Sequence, residues 1–341
     1  MSHRRKTIAI IRGGKDDYSR SMRNGANIII SLSRYQDLIE VIDVVLDERG
    51  NWFERGIPSD AHKVFSKADF YIDLTSNKNE DYHALAQRLE VKPIFKDNHI
   101  STPDRVNSRR ILNQIGFSVP KYILIRDLQS LKAGLEEAWN RFQTPLVVKE
   151  AKHEFNHKST ITYSFLEAFD KAKEILKEGR EVLLEEHVDG RYVSVAAIPN
   201  YRGENIYIPT PAEIINHKGD RIVRDKIIKE KYLIDHVCNK RCLIHAEENL
   251  KKEIRKTVEE IYKTFLFENQ ALVDLAIIEK KVSGEKTGHK HDYTIKVLDI
   301  HTSPNIFEDS RLDFILKSSG IDIGKFILDK MDKIEEEELI Y

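Results

Sequence analysis

Through the first hundred residues, short apolar runs alternate with segments whose apolar residues recur every three or four positions. TIAII (7 to 11) runs into Gly13 and Gly14, and NGANIIISLSRY behind it has helical spacing, so a strand, a glycine turn and a helix are expected. VIDVVLD (41 to 47) and ADFYIDLT (68 to 75) are brief and rich in β-branched or aromatic residues, as buried strands are. The helical segment YHALAQRLE follows them, and this alternation implies a parallel α/β layer that ends near residue 101. STPDRVNSRRILNQIG then offers Ser101 or Thr102 as a cap and a proline near the first turn. Val106, Ile111, Leu112 and Ile115 supply the expected apolar face of a new helix.

From residue 120 the spacing changes. PKYILI, PLVVKEA and EVLLEEHV read as strands, with the amphipathic LEAFDKAKEILK between the last two, and RYVSVAAI and NIYIPTPAEII extend the strand set. EENLKKEIRKTVEEIYKTF carries Leu250, Ile254, Val258, Ile261 and Phe265 on one helical face. No internal repeat is visible, and the acidic run Glu335 to Glu338 reads as a solvated helix end.

ALVDLAIIEKK (271 to 281) and DYTIKVLDIHTS (292 to 303) are strand-like runs joined by a polar segment containing Gly284 and Gly288, which makes an antiparallel hairpin the economical expectation. A turn centred between Lys286 and Thr287 sets Asp274 opposite Asp299 and Leu272 opposite His301. With a side-chain period of two, all four share one face of the ribbon. Directly opposed carboxylates repel, so this pairing calls for a cation between them. A one-residue register shift, or an asymmetric loop, would instead send one aspartate to solvent. The first alternative is a magnesium site, because hard divalent cations favour carboxylate oxygens. His301 is an odd companion there, since imidazole is a softer ligand than magnesium prefers.

Composition narrows the class. A chain of 341 residues, 40% hydrophobic and 33% charged, suits a globular protein of two or three domains. Fifty-five Lys and Arg against 56 Asp and Glu leave a net charge of −1, which gives no reason to expect a nucleic acid or a membrane surface as partner. The apolar run near the start is too short for a signal segment, and no run approaches a membrane span. With only Cys238 and Cys242, a reducing cytoplasm is the expected compartment. His236, Cys238, Cys242 and His245 offer four zinc-type ligands, but their spacing lacks the C-x2-C knuckle and fits a solvated loop better. GHKHD (288 to 292) reads as a hairpin tip.

Several motifs in shared order resemble the D-alanine-D-alanine ligase family of the ATP-grasp superfamily, over nearly the whole chain. IIRGGKDDYSRSMRNGAN resembles that family's strand, double glycine and S-x-x-S-G-A helix. TPLVVKEA resembles its P-x-x-V-K-P strand, EVLLEEHVDGRYVSVAAI its E-V-L-x-E segment, and VLDIHTSPN its L-E-x-N-[TS]-x-P-G signature. The resemblance implies an α/β ATP-grasp fold with an N-terminal parallel α/β domain over 1–101. A central ATP-grasp subdomain over 102–188 and a C-terminal one over 189–341, with the metal-binding hairpin, complete it. It further implies ATP and Mg2+ as cofactors, a small amino acid or dipeptide as substrate, and a homodimer.

Carried over position by position, the resemblance puts Arg105 and Lys149 on ATP phosphates, Glu185, Glu186 and Val188 at the adenine edge, and Asp274, Asp299 and His301 at the metal. Asp17 is the candidate for the first substrate's amine and Ser310 for the second substrate's carboxylate. Lys231 and Tyr232 stand for the mobile-loop pair over the active site, which with His301 makes up the catalytic set. Family members phosphorylate a carboxylate with ATP and capture the acyl phosphate with an amine. This chain departs from the family where that mechanism is most exposed. The oxyanion arginine is Leu272, the signature asparagine is His301, the following glycine is Asn305 and the ribose-binding glutamate is Tyr192. The glycine-rich phosphate loop has become KHEFNHKST, with Phe155 near the place of a substrate-orienting serine. Loss of one oxyanion donor typically costs about 10² to 10³ in rate. Two functions therefore stand: a carboxylate-amine ligase, or a non-catalytic ATP-grasp protein that binds a nucleotide, peptide or protein partner. A nicotinamide dehydrogenase and a P-loop NTPase are disfavoured, because neither G-x-G-x-x-G nor G-x-x-x-x-G-K-[ST] occurs.

Overall fold

The run TIAII lies within β1 (Lys6–Gly13), which pairs in parallel with β2 (Ile39–Leu46) on one side and β5 (Phe70–Asp73) on the other. A computed structural model describes residues 5–15, 18–75, 80–95, 104–142, 145–152, 159–213, 248–280, 292–302, 306 and 310–338. The chain divides into two compact units, one of Met1–Asp97, Pro199–Tyr207 and Asn305–Tyr341, the other of Asn98–Ile198 and Ile208–Pro304.

The first unit's sheet runs β4-β3-β2-β1-β5-β6, with β3 (Trp52–Glu54) and β4 (Ile57–Ser59) forming an antiparallel edge hairpin and β6 (Lys92–Pro93) parallel to β5. That edge hairpin was not anticipated, because three-residue strands are too short to show a period. Gly13 has φ +94°, and a Cβ placed on it would lie 2.2 Å from the carbonyl oxygen of Leu46, so the chain can leave β1 for α1 (Tyr18–Leu32) only through a glycine. Ala9, Ile11, Ile42 and Val44 pack against Val64 and Phe65 of α2 (Ala61–Phe65) and Tyr82 of α3 (Glu80–Arg88).

In the second unit α4 (Arg105–Gln114) leads into β7 (Tyr122–Ile125), α5 (Leu131–Phe142), β8 (Leu146–Glu150), β9 (Ser159–Thr162), α6 (Phe165–Lys177) and β10 (Val182–Glu186). The four strands form an antiparallel sheet in the order β7-β10-β8-β9, with Leu131, Leu135, Ala168 and Ala172 of the two helices packed on Val148 and Leu184. A second sheet runs β12-β11-β14-β15, built from β11 (Arg191–Tyr201), β12 (Glu204–Tyr207), β14 (Ala271–Lys280) and β15 (Asp292–His301), with β13 (Ala212–Glu213) paired to β11. α7 (Glu248–Thr264) buries Leu250, Ile254, Val258 and Ile261 as the spacing implied, and Phe265 just beyond it is buried too. The chain ends in the first unit with α8 (Arg311–Ser318) and α9 (Ile323–Glu338). Among the described residues no helix is long and apolar enough to cross a membrane.

α4 corrects the sequence expectation twice. Its cap is Asp104, whose carboxylate accepts from the Asn107 amide at 2.7 Å, rather than Ser101 or Thr102. Its buried face is Arg105, Ser108, Arg109 and Leu112, while Ile115 is 45% exposed. The helix packs over carbonyl and carboxylate oxygens, so arginines turn inward. His236 to His245, read from the sequence as a solvated loop rather than a zinc cluster, lie outside the described residues, as do Phe155 and Asn305.

Candidate functional site

β14 and β15 pair in the expected register at one end: Asp274 faces Asp299 and Leu272 faces His301. Further along, Leu275 faces Val297 and Lys280 faces Asp292, so the pairs are offset by one and Leu298 is an extra residue in β15. The single register expected for the whole ribbon therefore holds only at the end that carries the aspartates. Leu298 packs with Ala276 and Val188, and Ala276 lies two residues from Asp274 on the same face of β14. Consecutive residues Leu298 and Asp299 thus share a face, as a bulge permits and a regular strand does not.

The opposed carboxylates are each met by protein donors. The Asp274 carboxylate accepts from the Ser194 hydroxyl at 2.6 Å and from His301 Nε2 at 2.9 Å. Ser194 reaches it because β11 lies beside β14 with Ser194 directly opposite Asp274. Asp299 Oδ2 accepts from Arg105 Nε at 3.1 Å, and the same guanidinium donates from Nη1 to the carbonyls of Glu150 at 2.8 Å and Lys152 at 3.3 Å. Repulsion between the two acids is relieved by one charged and one ionisable partner, in a place where Asp274 and Asp299 are only 5% and 7% exposed.

A second buried group lies on β8 and β10. Lys149 is opposite Leu183 and Val147 is opposite Glu185, which makes Lys149 and Glu185 diagonal neighbours on one face. Lys149 Nζ and Arg109 Nη2 pair with the two oxygens of Glu185, and all three side chains are nearly inaccessible. Glu186 pairs with Lys296. The Val188 carbonyl accepts from the Tyr192 hydroxyl at 2.5 Å, and that hydroxyl lies 3.3 Å from His187 Nε2. Burial pushes the His187 pKa below its ordinary value, with the Asp189 charge acting in the opposite direction.

The sequence-derived candidates fall into three groups. Arg105, Lys149, Glu185, Glu186, Val188, Asp274, Asp299 and His301 all belong to the second unit, where Arg105 joins Asp299 and Lys149 joins Glu185. Ser310 belongs to the first unit, fully buried, where its hydroxyl accepts from the Asp313 amide at 3.3 Å and caps α8. Asp17, Lys231 and Tyr232 lie outside the described residues. Sequence reasoning missed Ser194 and Arg109. The signal for Arg109 was its place four residues after Arg105, on the same face of α4.

Among the described residues no group of three or more His, Cys, Asp or Glu is gathered closely enough to hold a metal ion. The donors present still suit magnesium, which is commonly held by one or two carboxylates together with substrate phosphates and water rather than by an all-protein cage.

Comparison with known proteins points one way. The family model described as D-ala D-ala ligase C-terminus matches residues 111–330. A D-alanine–D-alanine ligase of Aquifex aeolicus is 26% identical over 229 residues, a stretch that spans 66% of this chain and 66% of that protein. Among solved structures, D-alanyl-alanine synthetase A of Vibrio cholerae superposes with a TM-score of 0.70 at 15% identity, covering 96% of this chain and 98% of that one. A Bacillus anthracis D-alanine–D-alanine ligase complexed with ATP gives 0.65 at 17% identity, covering 96% of each chain. At these identities the structural matches establish the fold, and it is an ATP-grasp α/β fold.

Proposed function

This chain belongs to the D-ala D-ala ligase C-terminus family, and we propose on that footing that it is an ATP-dependent ligase joining a carboxylate to an amine through an acyl phosphate. The observation that carries the proposal is the family match over 111–330, a span that includes Lys149, Glu185, Asp274 and Asp299. A carboxylate oxygen attacks the γ-phosphorus of ATP and ADP leaves. The amine nitrogen then displaces phosphate from the acyl carbon and loses a proton.

In this scheme Lys149 and Arg105 neutralise phosphate oxygens, and each must exchange a buried carboxylate partner for phosphate to do so. Glu185, Glu186 and the backbone at Val188 hold the adenine edge. Asp274 and Asp299 would hold Mg2+ together with substrate phosphate and water, with His301 beside Asp274, and the ion would offset charge on the transferring phosphoryl group. Asp17 and Ser310 are assigned to the two substrates, and Lys231 and Tyr232 with His301 to the catalytic set. A small amino acid or dipeptide is the proposed substrate class, the cytoplasm the proposed compartment and a homodimer the proposed assembly. The 1–101, 102–188 and 189–341 division is proposed with them. Leu272, 1% exposed, offers no donor to an oxyanion, so turnover is expected to be slow beside that of relatives that keep the arginine.

Calorimetry with ATP in the presence and absence of magnesium tests the first step. Magnesium-dependent binding is expected, and its absence at millimolar ATP excludes the ligase. Phosphate release screened across D- and L-amino acids then identifies the substrate class, and release that no amino acid stimulates removes the amide-forming step.

A further inference from the structure

A bulge interrupts the regular ladder, and a buried carbonyl beside it can accept from a donor outside the sheet. The Leu298 carbonyl finds one in Arg109, whose Nη2 donates to it at 2.9 Å. The same nitrogen pairs with Glu185 Oε1, and Nη1 donates at 2.9 Å to the carbonyl of Arg105, the residue whose Nε holds Asp299. Arg109 is 2% exposed, far from the usual placing of a helix arginine, so its charge is retained inside by these acceptors. A planar fork with five donors can serve three acceptors at once, whereas a lysine ammonium concentrates its charge at one point.

We infer that Arg109 is a positioning residue for both halves of the site. By closing the Leu298 bulge it fixes the turn of β15 that sets Asp299 opposite Asp274, and by pairing with Glu185 it fixes the carboxylate that Lys149 also holds. One side chain thereby ties the metal-side acids to the nucleotide-side acid. Arg109 need touch neither ligand. The donor to the Leu298 carbonyl comes from α4, outside the β14–β15 ladder, which gives this position a purpose beyond filling space. The functional part of the inference rests on the ligase proposal; the structural part does not.

The test uses the full chain with Arg109→Lys and Arg109→Met, and Mg2+ with ADP as the probe. Amide exchange at residues 297–300 reports the bulge, with β1 of the first unit as the reference for intact folding. Both variants are expected to exchange about tenfold faster or more at 297–300 while β1 is unchanged, since methionine has no donor and lysine ends one bond short of the place from which Nη2 meets the Leu298 carbonyl. The magnesium concentration giving half-saturation with ADP should rise about 10- to 100-fold in both, the usual cost of removing a residue that orients a metal ligand. ADP binding without magnesium should fall in Arg109→Met and return towards the original in Arg109→Lys, which keeps a charge beside Glu185. A residue with only a packing role would lower the two affinities together. Unchanged exchange at 297–300, or a magnesium requirement within about twofold of the original in both variants, overturns the inference. If the unaltered chain binds no ADP, the ligase proposal fails by itself, and the exchange measurement still decides whether Arg109 holds the bulge.

Discussion

His187 shows how one residue's surroundings set a pH dependence. It is half-buried beside Tyr192, and burial holds its pKa below the ordinary 6.5. An unfolded chain then binds this proton more readily than the folded one, so stability rises with pH across the interval between the lowered value and 6.5. The contribution is fully present above 6.5, where both states are neutral, and is lost as pH falls towards the lowered value. Urea unfolding at about pH 7 and about pH 5 should therefore show a smaller acid loss for His187→Gln than for the original chain; parallel losses would assign the effect to other groups. At this scale the sequence was a partial guide. Asp274, Asp299, Leu272 and His301 face one another as expected, but only because the extra residue Leu298 offsets this end by one from the register that holds further along the ribbon. Arg109 was not expected at the site, because a charged residue on a helix defaults to solvent and only its acceptors, distant in sequence, turn it inward.

At the scale of elements the same contrast recurs between two helices. α7 shows its buried face in its spelling, since Leu250, Ile254, Val258 and Ile261 repeat at helical spacing and all are buried. α4 has apolar residues too, but its neighbours are polar groups and its buried face is set by what they need. The bulge at Leu298 was likewise illegible, because VLDIHTSPN contains no glycine or other mark of an extra residue, and the ladder alone reveals it. Asp104 matters here because it starts the helix that delivers both arginines. Asp104→Ala removes the acceptor of the Asn107 amide at a helix N-terminus, and a loss of about 1 kcal/mol in urea unfolding is expected. Asp104→Ser should recover most of it, as serine caps comparably. A variant as stable as the original would mean that packing of the arginines alone fixes where α4 begins.

For the whole molecule, the useful division is chemical. Candidate nucleotide and metal residues from Arg105 to His301 belong to the second unit, whereas Ser310, assigned by resemblance to a substrate carboxylate, belongs to the first. Each unit has its own apolar core, and β1, β2 and β5 belong to the first while β8, β10, β14 and β15 belong to the second, so ligands can be followed by where they slow amide exchange. A ligand that binds only the folded state, present at about 100 times its dissociation constant, slows exchange through unfolding of its site by about 100-fold. With Mg2+ and ADP, that slowing is expected in β8, β10, β14 and β15. Slowing confined to β1, β2 and β5 would move the nucleotide to the other sheet and remove the roles given to Lys149 and Glu185. An amino acid supplied alone should instead act on residues 310–318, where the buried Ser310 hydroxyl caps α8. A substrate carboxylate has only acceptor oxygens and so can use that hydroxyl only as a donor, and Ser310→Ala should remove the amino-acid effect while leaving the nucleotide effect in place.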